Sequence, residues 1–444
     1  MCVRAHFRTH LRPRESASDL TLCKTRGVST GTGITTRGKL ALRAAAAASW
    51  ASQKAGRGKG SMIGGLIALK IDPTLMEQLG ARRRTAVITG TNGKSTTTRM
   101  TAAALSTLGE VATQADGANM DAGIVAALST RVHAPLAALE VDELHVPHVS
   151  DAVNPEALVL LNLSRDQLDR VGEINMIERK LRACVAAHPE SVVIANCDDV
   201  LVTSVAYDAK NVVWVAAGGG WASDAASCPR TGEPIVWEGS HWRSTGSDFA
   251  RPTPDWWLDD ENLYGPDGLK IPMTLALPGR ANRGNAAQAV AAAVAMGAEA
   301  EDAVAAAATV QEVAGRYSTV EVGSHSVHML LAKNPAGWQE ALSMIDPTVD
   351  GLVIAVNGQV PDGEDLSWLW DVRFEHFEGV KVVAAGERGT DLAVRLTYAG
   401  VEHTLDPNPL RAIASCPPGR VEVLANYTAF RDLNTAIAKE ARNA

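Results

Sequence analysis

The segment "RRRTAVITGTNGKSTTTRMTAAALSTLG", residues 82–109, joins an apolar run, a glycine-rich turn and a helical pattern. Residues 86–88 predict a short buried strand, and the spacing of residues 96–108 predicts a helix. Gly90 and Gly93 lie between the two, where they let successive backbone N–H groups and the helix N-terminus face an anion. A strand, a glycine loop and a helix in this order predict an α/β domain that binds phosphate.

Two side chains of this loop have the chemistry of a nucleotide site. Lys94 can bridge the terminal phosphates of ATP, and the Ser95 hydroxyl can ligate magnesium. The loop departs from the full phosphate-loop pattern, since Ile88 stands where the first glycine would be. A plain turn with a chance lysine is the alternative, and the flanking strand and helix disfavour it. The predicted nucleotide-binding residues are Gly90, Thr91, Asn92, Gly93, Lys94, Ser95 and Thr96.

Composition limits the class of protein. The chain has 444 residues, of which 46% are hydrophobic and 21% charged, so it can bury full cores. A formal charge of -8 disfavours nucleic acid as the main partner. The six cysteines are widely spaced, which favours a reducing cytoplasm over a disulfide scaffold. No apolar run reaches the roughly 18 residues that a membrane span needs.

The first 37 residues are set apart from the fold prediction. They carry seven Lys or Arg residues against two acidic residues, and they lack an apolar run or a clear periodicity. We predict a disordered or wrongly started extension here, with a targeting sequence as the alternative.

Further segments extend the pattern of the glycine loop. These are "GTNGKSTTT" (90–98), "RDQLDR" (165–170), "LPGRANRGNAAQAVAAA" (277–293), "LAKNPAGW" (331–338) and "PDGEDLSWLWDVRFE" (361–375). In order and form they resemble the MurT family of Mur ligases, the ligase subunits of lipid II isoglutaminyl synthases. The resemblance extends from about residue 38 to the C-terminus.

The resemblance implies a fold and a domain order. Residues 38–314 are expected to form a Mur ligase-like central ATP-binding domain with a mostly parallel sheet, which contains a ribbon-like insertion at about 218–268. Residues 315–444 are expected to form a smaller, Rossmann-like α/β domain, because strands and helices alternate there.

The family also implies a reaction. The α-carboxylate of D-glutamate in the lipid II stem peptide would be activated by ATP and Mg²⁺ as an acyl phosphate and amidated by ammonia to D-isoglutamine. No cysteine of this chain stands in a glutaminase-type motif, so ammonia is expected from solution or from another subunit. The resemblance implies that this subunit is a GatD-type glutaminase in a heterodimer. The two open alternatives are an amino acid ligase of the folylpolyglutamate synthase type and a non-catalytic nucleotide-binding scaffold.

Site residues follow from the same resemblance. Glu140 ends an apolar strand, where a carboxylate can complete the magnesium shell with Ser95. Arg316 matches the hinge arginine that reaches the ATP phosphates, and Asp365, favoured over Asp362 and Asp371, would approach the glutaminase. The expected catalytic residues are therefore Lys94, Glu140, Arg316 and Asp365.

Other positions have open alternatives. Asn282 and Asn285 would meet the adenine, with capping of their helix as the alternative. Asp166 and Asp169 could position magnesium or water. Asp142 and Glu143 follow the same strand end and could contribute to the magnesium shell, with lone surface carboxylates as the alternative. Lys180 is an ordinary helix-surface lysine or a carbamylated one.

A lipid-linked substrate suggests a cytoplasmic protein at the inner face of the membrane. Peripheral contact could run through "KAGRGKG" (54–60), for which a solvated basic loop is the alternative.

The insertion resembles a zinc ribbon that has lost its ligands. The four ligand positions read Cys228, Thr231, Ser244 and Ser247. One thiolate cannot form a closed tetrahedral zinc shell, so no zinc is predicted. "EPIVW" and "HWRS" are predicted to pair as a hairpin, packed by the aromatic residues Trp237, Trp242, Phe249, Trp256 and Trp257.

Overall fold

The computed structural model describes most of the chain. The described residues are 33–54, 61–114, 117–165, 171–218, 225–311, 317–346, 348–363, 365–375, 377 and 380–443. Residues 34–444 belong to one compact unit. Within the described ranges, no helix is both long and apolar enough to cross a bilayer.

Three helices precede the first sheet. They are α1 (Thr36–Lys54), α2 (Ser61–Ile71) and α3 (Leu75–Gly80). Arg37, at the start of α1, donates to the carbonyl of Ile71 at the end of α2, so the two helices run antiparallel. Gly64 packs against α1 and Gly65 against Ala122, each so closely that a Cβ atom would clash. The absence of side chains on these glycines therefore allows α2 to pack close to its neighbours.

The first sheet has six parallel strands in the order β2-β3-β1-β4-β5-β6. The strands are β1 (Arg84–Thr89), β2 (Val111–Thr113), β3 (Leu136–Glu140), β4 (Ala157–Leu160), β5 (Val192–Asn196) and β6 (Val212–Val215). The helices that follow in the chain are α4 (Lys94–Leu105), α5 (Asp121–Thr130), α6 (Val146–Val153), α7 (Val171–Ala187), α8 (Val200–Ala206), α9 (Arg280–Ala295) and α10 (Ala300–Ala308).

Each face of this sheet is covered. Apolar side chains of α5, α6, α7 and α8 pack on one face, and those of α4, α9 and α10 pack on the other. The strands are apolar on both sides, as expected for a parallel sheet between two helical layers. The predicted strand at residues 86–88 is confirmed. The helix after the loop begins at Lys94 and ends at Leu105. The predicted helix, residues 96–108, therefore began two residues and ended three residues too late.

The inserted segment is antiparallel. It contains β7 (Ile235–Glu238), β8 (His241–Ser244), β9 (Trp257–Leu258), β10 (Asn262–Tyr264) and β11 (Lys270–Pro272). The predicted hairpin is confirmed, because β7 and β8 pair with Trp237 opposite Trp242.

The aromatic core of this hairpin was predicted only in part. Trp242 and Phe249 are buried, with ring centroids 5.1 Å apart, in a cluster that also contains Cys228. Trp256 instead packs into the core of the first sheet, because its backbone bridges to Val215 of β6. Trp257, the next residue of a strand, points the other way and is 40% exposed. The prediction that Trp256 and Trp257 belong to the hairpin core was therefore wrong.

The prediction that the insertion holds no zinc stays a prediction.

A second six-stranded sheet has the order β12-β13-β17-β14-β15-β16, with β12 antiparallel to β13 and the other strands parallel. The strands are β12 (Tyr317–Val322), β13 (His325–Leu331), β14 (Gly351–Ala355), β15 (Lys381–Ala385), β16 (His403–Leu405) and β17 (Gly419–Ala425), with helices α11 (Pro335–Met344), α12 (Gly389–Tyr398), α13 (Pro409–Ala414) and α14 (Tyr427–Asn443). Apolar clusters lie on both of its faces. The predicted α/β fold with a second doubly wound sheet is confirmed, whereas the exact domain boundaries stay predictions.

Candidate functional site

The glycine loop after β1 has a backbone that only glycine suits at two positions. Gly90 has φ +142° and Gly93 has φ +84°. A Cβ atom at Gly90 would lie 2.8 Å from the side chain of Leu161, and one at Gly93 would lie 2.6 Å from the side-chain oxygen of Asn285. Both conformation and space therefore require glycine at these two positions. The N–H groups of Thr91 and Asn92 donate to Asn162, which leaves those at the start of α4 for an anion.

A second loop, after β4, holds the glycine loop in place. The backbone N–H of Asn92 donates to the Asn162 side chain at 2.9 Å, and the Asn162 amide donates back to the Asn92 carbonyl at 3.0 Å. Thr91 and Ser164 exchange two more hydrogen bonds, at 3.1 and 3.0 Å. Sequence reasoning missed Asn162, whose only sign was its position directly after a buried strand.

Lys94 lies at the base of the loop and is buried. Its ammonium group donates to the carbonyls of Gly90 and Thr91 and lies 3.3 Å from the Glu143 carboxylate. Glu143 is also buried, at 8% exposure, so the alternative of a lone surface carboxylate was wrong. The positive charge needed at a phosphate is thus already fixed in position by three oxygen partners.

Ser95 and Glu140 converge on one point beside the loop. A Cβ atom placed on Gly117 would lie 3.3 Å from the Ser95 hydroxyl and 3.6 Å from a Glu140 carboxylate oxygen. Glu140 ends β3 as predicted and is 3% exposed. Gln114 fixes its backbone with two hydrogen bonds, at 3.0 and 2.7 Å.

This pair fits a magnesium ion. The part of the chain that the structure describes offers the Glu140 carboxylate no hydrogen-bond donor, although burying an ionised carboxylate unpaired is costly. A hydroxyl and a carboxylate are hard oxygen ligands of the kind Mg²⁺ prefers.

The two asparagines at the start of α9 face the same loop. The helix is capped by Gly279 without a side-chain bond, so the capping alternative was wrong. The Asn282 amide donates to the Pro278 carbonyl at 2.6 Å, and the Asn285 amide donates to Asn282 at 3.4 Å. Both line the cavity described next, and their contact with adenine stays a prediction.

A cavity of about 600 Å³ lies between the two sheets and is lined by the glycine loop, Glu140, and the first residues of α11. Asn334, 1% exposed, caps α11 by accepting the N–H of Gly337 at 2.8 Å. The same oxygen accepts the side-chain amide of Asn92 at 3.3 Å. The motif "LAKNPAGW" of the second sheet therefore contacts the glycine loop of the first.

The remaining predicted residues lie elsewhere. Arg316, Asp166 and Asp169 fall outside the described residues. Lys180 is exposed on α7, away from the cavity lining, which favours the ordinary surface lysine.

Asp365 is exposed beyond β14 and does not line the cavity. It accepts the N–H of Ser367 at 2.8 Å, and hydrogen bonds from the backbone and side chain of Ser367 lower the pKa of the Asp365 carboxyl. Asp362, by contrast, accepts the N–H and hydroxyl of Thr428 and joins its turn to α14.

One cysteine lies beside a histidine, and the geometry does not suit a nucleophile. The Cys184 sulfur is 3.8 Å from Nδ1 of His188, whose Nε2 lies 3.5 Å from Asp151. His188 Nδ1 also approaches the Cys184 carbonyl at 2.9 Å, and burial raises the pKa of the thiol. A neutral, 4% exposed thiol is a poor nucleophile, so this group does not form a glutaminase site.

Comparisons with known proteins agree with this geometry. The Mur ligase middle domain profile matches residues 88–293, and the MurT ligase C-terminal profile matches residues 331–430. The chain is 27% identical over 419 residues to the MurT subunit of the glutamine-hydrolysing lipid II isoglutaminyl synthase of Streptococcus pneumoniae, covering 86% of this chain and 93% of the relative. It is 26% identical to the corresponding Staphylococcus aureus subunit, covering 79% and 86%.

Among solved structures, the fold is similar to that of a pseudomurein peptide ligase type C from Methanothermus fervidus. The TM-score is 0.64 at 18% identity, covering 82% of this chain and 81% of that one.

Proposed function

Because the chain belongs to the MurT group of Mur-type ligases, we propose that it is the ligase subunit of a lipid II isoglutaminyl synthase. It converts the α-carboxylate of D-glutamate in the lipid II stem peptide to the amide of D-isoglutamine. Ammonia reaches it from a glutaminase partner of the GatD type, with which it forms a heterodimer. It works in the cytoplasm, where lipid II is exposed at the inner face of the membrane.

The observation that carries this proposal is the contact between Asn92 and Asn334. Asn92 belongs to the glycine loop that Mur-type ligases share, and Asn334 belongs to the part of the chain that matches the MurT C-terminal profile. A contact between these segments supports a single active site that uses both. A ligase of this group needs such a site, because the carboxylate must meet the γ-phosphate in a closed cavity.

The residues that would hold ATP and Mg²⁺ follow from their positions. Residues 90–96 would surround the phosphates, with the N–H groups at the start of α4 facing them and Lys94 neutralising their charge. Ser95 and Glu140 would ligate Mg²⁺, and Asn282 and Asn285 would meet the adenine. Arg316, which lies outside the described residues, would add a second positive charge, as the resemblance to Mur-type ligases implies. The nucleotide supplies the phosphoryl group that makes the carboxylate an acyl phosphate.

The cavity also protects the activated carboxylate. Water competes with ammonia for such a group, so the second sheet must close the site while ammonia enters. Leu330, Ala332 and Met344 line the cavity from the second sheet, beside the polar residues Lys333, Asn334 and Glu340. Side chains of the second sheet therefore cover one side of the cavity.

The glutaminase partner docks on the second sheet near Asp365. Trp370 and Tyr398 are 56% and 75% exposed and meet edge to face, with ring centroids 5.3 Å apart. Arg395 lies 5.6 Å from the Trp370 ring and donates to the carbonyls of Leu369 and Val372, which holds the backbone on both sides of Trp370. Exposed, well-ordered aromatic side chains are typical anchors of protein interfaces.

Two other functions make different demands. An amino acid ligase of the folylpolyglutamate type would need a second substrate site instead of an ammonia source. A non-catalytic scaffold has no need of a buried, unpaired Glu140 carboxylate beside Ser95.

The test combines the chain with a co-expressed glutaminase, lipid II, ATP and either glutamine or ammonium. We expect the product mass to change by the replacement of a hydroxyl with an amino group. With ammonium, the chain alone should give this product, whereas with glutamine only the complex with the glutaminase should give it. Lys94→Ala should abolish it, whereas Lys210→Ala, at an exposed lysine paired with Glu190, should not. Incorporation of an amino acid in place of ammonia would show the folylpolyglutamate-type ligase. ATP binding without any product would show the scaffold.

A further inference from the structure

Gln114, the residue that directly follows β2, is a buried polar side chain, with 6% exposure. Its amide reaches the end of the neighbouring strand β3. The backbone N–H of Glu140 donates to Oε1 of Gln114 at 3.0 Å, and Nε2 of Gln114 donates to the Glu140 carbonyl at 2.7 Å. The same Nε2 donates to the Ala118 carbonyl at 3.4 Å. The oxygen and both N–H bonds of this amide therefore have partners.

The ladder between β2 and β3 ends before it reaches Glu140. Its last pair is Thr113 with Ala138, two residues short of Glu140. On the other side of β3, the pairing with β1 continues as far as Ile88 opposite Glu140. A primary amide offers a donor and an acceptor side by side, as a peptide group does. The Gln114 side chain thus replaces the missing strand partner of Glu140.

The hydrogen-bond partners determine both the orientation of this amide and the residue type. Turning the amide by 180° would place Oε1 of Gln114 against two carbonyl oxygens and Nε2 against an N–H group, which would break the three bonds. Asparagine is one methylene shorter, and an ionised glutamate has no donor for the carbonyls. Position 114 therefore requires the length and the amide of glutamine.

The groups that Gln114 holds lie beside the point where the Glu140 carboxylate and the Ser95 hydroxyl converge. Glu140 ends β3, so the position of its backbone determines where its carboxylate lies. Ala118 directly follows Gly117, and a Cβ atom on Gly117 would lie 3.3 Å from the Ser95 hydroxyl and 3.6 Å from a Glu140 carboxylate oxygen. One buried amide thus connects the candidate metal ligand with the segment that flanks it.

We propose that Gln114 is a positioning residue of the magnesium site. It does not line the cavity, so it acts through the Glu140 backbone, which it holds where the carboxylate can meet an ion beside Ser95. Loss of a group that orients a metal ligand typically weakens metal binding about 10–100-fold. This proposal rests on the proposed function, which assigns magnesium to Glu140 and Ser95. Because Gln114 is neutral, an apolar replacement changes the geometry of the site and not its charge.

Binding of Mn²⁺, a paramagnetic probe for the magnesium site, tests this proposal. The full chain is titrated with Mn²⁺ and a non-hydrolysable ATP analogue, and the electron paramagnetic resonance spectrum of the protein-bound ion is followed. Gln114→Met keeps the length of the side chain and removes the amide, so we expect the Kd for Mn²⁺ to rise about tenfold or more. The Mg²⁺ concentration for half-maximal amidation should rise in parallel, whereas the KM for lipid II should not change.

Gln288→Met is the matched control. Gln288 is also buried, at 2% exposure, and donates to the carbonyl of Leu160 at the end of β4 in the same sheet, at 2.9 Å. This variant should shift the urea midpoint about as much as Gln114→Met but leave the Mn²⁺ affinity unchanged. Gln114→Asn, whose amide is too short to reach β3, is the second test variant and should weaken Mn²⁺ binding as Gln114→Met does.

A double-mutant cycle separates positioning from an independent effect. If Gln114 acts through Glu140, Gln114→Met should add less than about twofold to the loss of Mn²⁺ affinity that Glu140→Gln already causes. Additive losses would overturn the proposal, and so would an unchanged Mn²⁺ affinity in Gln114→Met or unfolding of both Gln114 variants while the control folds. An unchanged affinity in Glu140→Gln would instead contradict the magnesium site and with it the proposed function.

Discussion

The ammonium group of Lys94 lies 3.3 Å from the carboxylate of Glu143, and both side chains are about nine-tenths buried. The phosphate-loop lysine is thus balanced by a carboxylate from the loop after β3, far along the chain. A nucleotide phosphate would bring a second negative charge to the same lysine. Nucleotide binding and the stability of this buried pair are therefore linked.

Glu143→Gln leaves the Lys94 charge with only carbonyl partners. We expect a loss of about 1–3 kcal/mol in the free energy of unfolding, measured with urea, because a buried charge loses its counter-charge. Added ATP should restore part of the loss by mass action. Glu156→Gln, at the exposed pair with Arg84, is the matched control and should cost under about 1 kcal/mol. Equal losses for both variants would contradict the structural importance of the buried pair.

Glu140→Gln should weaken the response to magnesium. The Glu140 carboxylate and the Ser95 hydroxyl lie near the same point, so replacing the carboxylate by an amide removes a charged ligand of Mg²⁺. We expect the Mg²⁺ concentration for half-maximal amidation to rise about tenfold or more. The control is Glu110→Gln, at an exposed pair with Arg131. An unchanged Mg²⁺ titration would show that Glu140 is not a ligand.

Asn334→Ala removes both a helix cap and the contact with the glycine loop. The loss of the cap should cost about 1 kcal/mol of stability. Asn408→Ala is the matched control, since Asn408 caps α13 by accepting the N–H groups of Leu410 and Arg411. Both variants should lose similar stability, but only Asn334→Ala should raise the KM for ATP, by about fivefold. Parallel kinetic effects in the two variants would argue against a role of the contact in the site.

Asp365→Asn and Asp362→Asn should separate a functional carboxylate from a structural one. Asp362 is held by Thr428, so its substitution should lower stability by about 1 kcal/mol. Asp365 is exposed, so its substitution should leave the fold intact and lower glutamine hydrolysis in the complex about tenfold or more. Assays of thermal unfolding and glutamate release on both variants decide this. Normal glutamine hydrolysis with Asp365→Asn would contradict its assignment.

Alkaline pH should destabilise the chain through Cys197. Burial raises the pKa of this thiol from 9.0 to about 12, so the folded state holds the proton while the unfolded state releases it. The protonated Cys197 thiol stabilises the folded state fully below about pH 9. As the pH rises toward 12, the free energy of unfolding falls by at most about 1.4 kcal/mol per pH unit through this group. Urea unfolding at pH 8 and pH 10.5 should show a smaller decline for Cys197→Ala than for the unchanged chain. Identical declines would contradict the raised pKa.

The sequence predicted those parts of the site that are local in the chain. Residues 90–96 were recognised because a strand, glycines and a helix follow each other directly, and Glu140 because it ends an apolar strand. Asn162, Glu143 and Asn334 were missed as site residues, since each acts by contacting a loop residue 49 to 242 positions away. Spacing within one segment carries no information about such contacts.

The hairpin of the insertion shows the same limit. The pairing of β7 with β8 follows from alternation and turn residues, which are local. The placement of Trp256 in the core of the first sheet depends on a bridge to Val215, 41 residues earlier, which no local pattern indicates.

The side-chain oxygen of Asn334 accepts hydrogen bonds from both Gly337 and Asn92. One atom therefore takes part in the start of a helix and in the junction of the two sheets. The side-chain NH₂ resonances of Asn92, in an NMR spectrum of ¹⁵N-labelled protein, would report directly whether the junction is open or closed. A single pair of peaks would follow the motion of the second sheet against the first without any probe being attached.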